Sequence, residues 1–281
     1  MVPVLSLVFM VITILITIGL PIAIFLYFRK KYGAPAIPMV VGAAAFILFA
    51  LILESIVHQL VLRPDAAGDI ALRQQPVLYM LYGGFMAGLF EETARFIAFH
   101  IMKKKYNNFS TALAYGIGHG GIESVILAGI TMISSFVLAI TINTGLIEAS
   151  KSALSGAALE QLNTQIAALV TTSPYMFLVS AYERIGAISI HMALTVLVFY
   201  AVMRRDKWWL FPAAIVLHAI IDFPAALYQT GAISSIFVIE AGVGICAIAL
   251  IAIAVLVHKR YKLPEAPPQP EPETEPETPE A

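Results

Sequence analysis

The sequence predicts an all-α, polytopic helical membrane protein with about seven transmembrane helices. Of its 281 residues, 59% are hydrophobic and only 12% are charged, whereas soluble domains carry roughly a quarter charged residues. Apolar stretches follow one another along the chain, and each reaches the roughly 20 residues that cross a hydrocarbon core about 30 Å thick. Short breaks with basic residues separate these stretches, so membrane lipid is the expected environment of the fold.

The apolar stretches divide the chain into one membrane domain and a tail. The membrane domain is predicted over 1–262. Its spans are expected at 4–28, 36–62, 77–102, 109–142, 174–203, 208–228 and 234–257. Residues 263–281 are rich in proline and glutamate, with six acids and no basic residue. Such a segment cannot bury enough apolar surface to fold, which predicts a disordered, acidic cytoplasmic tail.

Basic residues indicate the orientation of the chain. Four clusters of three fall in alternate loops: Arg29, Lys30, Lys31; Lys103, Lys104, Lys105; Arg204, Arg205, Lys207; and Lys259, Arg260, Lys262. The opposite loops hold Arg63, Arg73 and Lys151. Because basic loops stay in the cytoplasm, the N-terminus is predicted outside and the C-terminus inside, in a prokaryotic plasma membrane. No basic face is formed, so no nucleic-acid partner is expected.

The segment 143–173 is the longest predicted external connection. Apolar residues recur in it at helical spacing, namely Leu154, Ala158, Leu162, Ile166 and Leu169. This pattern indicates a helix on the outer surface, which is either a lid over a site or a simple connector.

Ionisable residues lie inside four consecutive spans. A charge at the centre of a bilayer costs roughly 2.5–3.5 kcal/mol even on lenient scales, so each one needs a partner or a function. Spans three to six contain Glu91, Glu92 and Arg95; His119 and Glu123; Glu183, Arg184 and His191; and His218 and Asp222.

The spacing of these residues predicts that they converge. Glu91 and Arg95, His119 and Glu123, and His218 and Asp222 are each four residues apart, so each pair shares one helix face. All lie about ten residues from a span end, which gives the four helices a common polar depth. Glycines around His119 let a neighbouring backbone approach closely or let the helix unwind locally. We therefore expect one buried polar site.

Two kinds of role are open for this site. In the first, the residues only pair with one another to hold the helices together, which suits Glu123, Glu183 and Arg184. In the second, they catalyse a reaction, because Arg95 alone cannot neutralise two adjacent carboxylates.

Peptide hydrolysis is the reaction that these side chains favour. Glu91 or Glu92 would take a proton from water, and Arg95 would orient the carboxylate. His119 or His218 would hold the water or stabilise the oxyanion.

A metal-dependent version uses the same helices. His119, His191 and His218, with Glu123 or Asp222, would bind a zinc ion, and a glutamate would act as base. Two other classes of function remain open, a proton- or ion-coupled transporter and a noncatalytic binding or immunity protein.

Three motifs resemble those of a known superfamily. EETAR at 91–95 resembles the EExxR motif of the CAAX-protease and bacteriocin-processing (Abi) superfamily of membrane proteases. Tyr115 to His119 resembles its second motif, and His218 to Asp222 its third. Within this superfamily the chain is most similar to the YhfC family of intramembrane metalloproteases. The resemblance covers 77–228. It implies an intramembrane protease that cuts a membrane-associated or membrane-inserted protein or peptide.

The resemblance also implies functional residues. It assigns a catalytic glutamate at Glu91 or Glu92, and catalytic or ligand roles to His119, His218 and Asp222. Glu123, Glu183 and His191 have no counterpart in the three motifs.

Overall fold

The computed structural model describes residues 1–66 and 68–262, and within them it contains helices and no strand. The predicted acidic tail lies outside the described residues. The helices are α1 (Val4–Tyr32), α2 (Ala36–Val61), α3 (Pro76–Met102), α4 (Phe109–Asn143), α5 (Ile147–Ser152), α6 (Gly156–Thr171), α7 (Tyr175–Met203), α8 (Leu210–Gln229) and α9 (Ile236–Tyr261). Short 3₁₀ turns cover Ala71–Gln74 and Arg205–Lys207.

Six helices in the described part of the chain are long and apolar enough to cross a bilayer: α1, α2, α4, α7, α8 and α9. The seventh predicted span corresponds to α3, whose 27 residues would extend roughly 40 Å at 1.5 Å per residue. Helix α3 is less apolar than the others because Glu91, Glu92 and Arg95 lie within it. The prediction of an all-α polytopic membrane fold is confirmed.

Helix α7 is the central helix of the bundle. In its most apolar stretch 72% of the residues are buried, compared with 17% to 28% in the other five candidate spans. It packs against α1, α3, α4, α8 and α9. Leu194, Leu197 and Phe199 of α7 join Phe99 of α3 and Tyr115 of α4 in the largest apolar cluster. Polar residues on α7 are therefore held inside the bundle.

Glycines allow the helices that carry the polar residues to pack closely. The most extensive pairing joins α3 and α8. A Cβ atom on Gly84 would lie 2.6 Å from the carbonyl oxygen of Ala219, and one on Gly88 would lie 2.6 Å from that of Ile215. Neither distance is sterically possible, so only glycine permits this approach. Because Gly88 lies one turn before Glu92, the same contact brings α3 beside His218.

Helix α4 is regular through its glycine-rich segment. Asn108 caps it by accepting the backbone N–H of Thr111 at 3.0 Å, and α-helical geometry continues to Glu123. A wider π-helical turn follows at Ser124–Gly129. Gly118 packs against the backbone of Met39 on α2. The glycines thus provide close packing, and the local widening comes after His119.

The segment 143–173 contains α5 and α6, as its apolar spacing predicts. On α6, Leu162 and Ile166 are half-buried, whereas Ala158 is exposed. Leu169 is buried in an apolar cluster with Met10 of α1. Helix α6 packs against the second half of α4. Its role as a lid or as a connector stays a prediction.

Candidate active site

Six ionisable side chains meet inside the bundle and form what we call the central group. They come from four helices, α3, α4, α7 and α8, as the common depth predicts. Every member is buried, with an exposed fraction between 0% and 7%. The central group consists of Glu91, Glu92, Arg95, His119, His191 and His218.

Arg95 connects helices α3 and α7. Its Nη1 forms an ion pair with Glu92 Oε1, and its Nη2 lies 2.6 Å from His191 Nδ1 and 3.6 Å from Glu91 Oε2. Its Nε donates to Thr195 Oγ1 at 3.2 Å. The guanidinium is fully buried, so these four contacts take the place of water.

Thr195 is a residue of the site that the sequence analysis did not identify. It lies one turn after His191 on α7, is fully buried, and donates to the His191 carbonyl oxygen at 2.6 Å. Because Thr195 is four residues after His191, it shares a face of α7 with that histidine, and this spacing could have identified it. A single threonine in an apolar helix is common, however, because its hydroxyl can bond to its own backbone.

The two adjacent carboxylates have different surroundings. Glu91 Oε2 lies 2.8 Å from His119 Nε2, and 9% of the Glu91 side chain is exposed. Glu92 is fully buried, and its Oε1 is held by both Arg95 and His218 Nδ1, the latter at 2.7 Å. Of these two carboxylates, only Glu91 combines a histidine contact with a partly exposed side chain.

A group of potential metal ligands lies within the central group. Ligand atoms of Glu91, His119 and His191 all lie within 4.8 Å of one another. The predicted set of His119, His191, His218 and Glu123 shares two histidines with this group.

The chemistry of the three residues fits a divalent metal ion. Two imidazoles and one carboxylate are the protein ligands of several catalytic zinc sites. His119 is fully buried and its Nδ1 has no partner among the described residues. Arg95 approaches Nδ1 of His191, so a metal on that nitrogen would replace the Arg95 contact.

His218 and Asp222 lead from the central group towards the surface. His218 Nε2 lies 3.5 Å from Asp222 Oδ2, and 38% of the Asp222 side chain is exposed. In the third motif, His218 thus contacts Glu92, and Asp222 lies at the rim, which is the partly exposed edge of the site.

A second set, the flanking group, adjoins the central group and consists of Glu123, Glu183 and Arg184. Arg184 Nη1 donates to Glu123 Oε1 at 2.8 Å, and its Nη2 forms an ion pair with Glu183. Glu123 Oε2 also contacts His191 Nε2. His191 therefore joins the two groups, with one ring nitrogen facing each. A carboxylate behind an imidazole is the usual arrangement around metal-binding histidines.

The ring of His119 is further fixed by aromatic neighbours. The Phe46 ring of α2 meets it edge-on, with centroids 5.3 Å apart. The His119 and His191 centroids are 5.2 Å apart, and those of His191 and His218 are 5.6 Å apart. The three histidines thus form a continuous row across α4, α7 and α8.

Fold and site together define a polytopic membrane protein with a buried carboxylate and histidine centre. Residues 12–243 match the model of the YhfC intramembrane metalloprotease family, and the chain belongs to this family. It is also similar to the uncharacterized membrane protein YhfC of Bacillus subtilis (strain 168), with 35% identity over 242 residues. This alignment covers 86% of the chain and 92% of the relative. The family resemblance seen in the sequence is confirmed, and the matched range includes both polar groups.

Proposed function

We propose that this protein is an intramembrane endopeptidase that hydrolyses a peptide bond of a membrane-associated or membrane-inserted substrate. The observation that carries the proposal is the contact between Glu91 and His119 inside the helix bundle, with Arg95 and His191 beside it. A carboxylate held next to imidazoles can activate water where bulk solvent is scarce. Membership of a family described as intramembrane metalloproteases supports the same reaction.

Glu91 is the proposed proton acceptor. A general base must reach the water that it deprotonates, and the Glu91 side chain is 9% exposed whereas that of Glu92 is 0% exposed. His119 holds the Glu91 carboxylate at 2.8 Å. Arg95 lies 3.6 Å from the same oxygen and orients it.

Glu92 is the proposed positioning residue. Its Oε1 fixes both Arg95 and His218, so it aligns the base on α3 with the histidine on α8. His218 and Asp222 extend from there to the rim. His218 is placed to give a proton to the amine that leaves when the peptide bond breaks, and Asp222 orients His218.

His119 and His191 are the proposed holders of a divalent metal ion such as zinc, beside Glu91, whose carboxylate stays free to act as the base. Bound there, the metal would polarise the attacked carbonyl and make its water a stronger acid. Glu123 would then orient His191 through Nε2.

A comparison of protein N-termini in membranes tests the reaction. Cells would express the wild type, Glu91→Gln, or Glu148→Gln as a matched control, since Glu148 lies on α5 with 71% of its side chain exposed. We expect new N-termini with the wild type and the control that are absent with Glu91→Gln. The same peptides would then be cut by the purified wild type in vesicles.

Identical N-termini in all three samples would contradict the protease. If the protein were instead a proton-coupled transporter, a different result would be expected. Vesicles would show proton movement that stops in Glu91→Gln, and no peptide would be cut by any variant.

The orientation of the protein in the membrane belongs to the same proposal. We place the N-terminus outside and the C-terminus in the cytoplasm of a prokaryotic cell because the four basic clusters share one side. Cysteines introduced after Lys105 and in 143–173 test this. A membrane-impermeant thiol reagent added from outside should label only the second position.

A further inference from the structure

Four ionisable residues near the central group take no direct part in the reaction proposed above. Three form the flanking group, and the fourth is Glu240 on α9. Glu240 is 7% exposed and lies within electrostatic range of Glu183 and Arg184. These four residues adjoin one another on α4, α7 and α9, outside the three sequence motifs.

Hydrogen bonds and ion pairs connect the flanking group to the central group without a break. Glu183 pairs with Arg184, Arg184 with Glu123, and Glu123 with His191. Beyond His191 the contacts continue to Glu91 and then to His119. A polar path thus leads from Glu183 on α7 to His119 on α4, with Glu240 of α9 beside its outer end.

Burial increases along this path. The side chain of Glu183 is 38% exposed, those of Arg184 and Glu123 are 9% and 11% exposed, and that of His119 is 0% exposed. Glu183 lies two turns inside α7, where a carboxylate facing hydrocarbon is strongly unfavourable. Contact with water lowers that cost together with the Arg184 ion pair, which favours water at the open end of the path.

Nδ1 of His119 and Oε2 of Glu123 have no hydrogen-bond partner among the described residues, and two further polar atoms near the outer end of the path lack one as well. These two atoms are Nε of Arg184 and Oε2 of Glu240. A buried polar atom without a hydrogen bond is costly, and water is its usual partner in a polar cavity. Both atoms belong to side chains that already bind other members of the path or lie beside them.

A small side chain lies on α7 between Glu183 and His191. Ala187 is four residues after Glu183 and four before His191, so these three residues share one face of α7. Ala187 is half-buried. Ile185, two residues away, is on a different face and is 43% exposed on the outside of the bundle.

We propose that Glu183, Arg184, Glu123 and Glu240 line a water-filled passage that runs past Ala187 to His191. The passage opens at the end of the bundle where α7 and α9 begin. It supplies water, the second substrate of hydrolysis, to the central group. Its use in catalysis rests on the proposed function, but its existence does not.

Cysteine labelling tests the passage without any measurement of activity. The single native cysteine is replaced by Cys246→Ser, and Ala187→Cys is compared with Ile185→Cys, which differ in depth by only about 3 Å. A small charged thiol reagent is added to vesicles on the side of α5 and α6. Ala187→Cys should react at least about tenfold faster, because a charged reagent enters hydrocarbon poorly.

A filling variant provides the second test. Ala187→Leu should slow the labelling of a cysteine at position 191 in His191→Cys, because the larger side chain closes the passage before that point. Labelling of Ala187→Cys no faster than of Ile185→Cys would overturn the proposal. Rapid labelling of Ala187→Cys in a protein that cuts no substrate would establish the passage and refute the protease.

Discussion

The central and flanking groups each contain an arginine between two carboxylates, yet they are built differently. Arg95 and Glu92 have no exposed surface, and Glu92 also binds His218. In the flanking group, the Glu183 side chain is 38% exposed and Arg184 satisfies its two carboxylates directly. The flanking group can be understood as charge neutralisation, whereas the central group leaves histidines and one carboxylate available for chemistry.

His191 contacts both groups through a single side chain. Its Nε2 contacts Glu123 in the flanking group, and its Nδ1 faces Arg95 and Glu91 in the central group. Ion pairing and the proposed catalysis therefore depend on neighbouring but different groups of residues. Substitutions matched between the two groups should separate them.

The largest effect is expected from removing the buried arginine. Arg95→Met leaves Glu92 buried without its cation, which typically costs about 3–5 kcal/mol. Arg184→Met should cost less because Glu183 can turn to water. Thermal unfolding of both variants in the same detergent checks this order. An equal or larger loss for Arg184→Met would contradict the ranking of the two groups.

Substitution of the two glutamates of EETAR should affect different properties, the cleavage rate for Glu91 and the stability for Glu92. Glu91→Gln is expected to lower the cleavage rate by roughly 10²- to 10⁴-fold, the usual contribution of a general base, with little change in thermal stability. Glu92→Gln should instead lower the stability, because it weakens the contacts to Arg95 and His218. Cleavage assays and thermal unfolding would be run on the same preparations. The reverse pattern would move the base to Glu92.

Metal content should depend on His119 and His191. About one zinc per chain is expected if the site is of the catalytic zinc class, and His119→Ala and His191→Ala should lose it, whereas His218→Ala should retain it. Glu123→Gln should weaken metal affinity by roughly 10- to 100-fold through the orientation of His191. Elemental analysis and titration measure both quantities. Metal-free protein that cuts its substrate in strong chelator would refute the metal site.

The smallest effect is expected at the rim. Asp222 lies 3.5 Å from His218 and is 38% exposed, so Asp222→Asn should change the cleavage rate by less than about tenfold and leave the stability within roughly 0.5 kcal/mol, as for surface substitutions. Steady-state kinetics on the two proteins measure the ratio. A loss as large as that of Glu91→Gln would show that Asp222 acts directly on the substrate.

Much of the fold followed from the sequence because apolar length and helical spacing are local properties. The same reasoning predicted that Glu91, His119, His191 and His218 converge, since residues at one depth in neighbouring helices are close. It did not distinguish Glu91 from Glu92. That distinction depends on how α3 is rotated against α8, which close contacts at glycines such as Gly88 determine.

Contacts between residues on different helices also could not be predicted from residue spacing along the sequence. His119 and Glu123 are one turn apart on one face of α4, but Glu123 contacts His191 and Arg184 on α7. Likewise, His218 reaches Glu92 across 126 positions of sequence. Helix spacing describes which residues share a face, whereas the crossing of two helices decides which faces meet.

The charges of α3 have a consequence for how the chain enters the membrane. Arg95 pairs with Glu92 and Glu91 at three and four positions' distance on its own helix, so part of their neutralisation needs no other helix. During synthesis α3 precedes α7 and α8, which supply His191 and His218. Internal pairing therefore lowers the cost of inserting this polar helix before the partners that complete its site have been made.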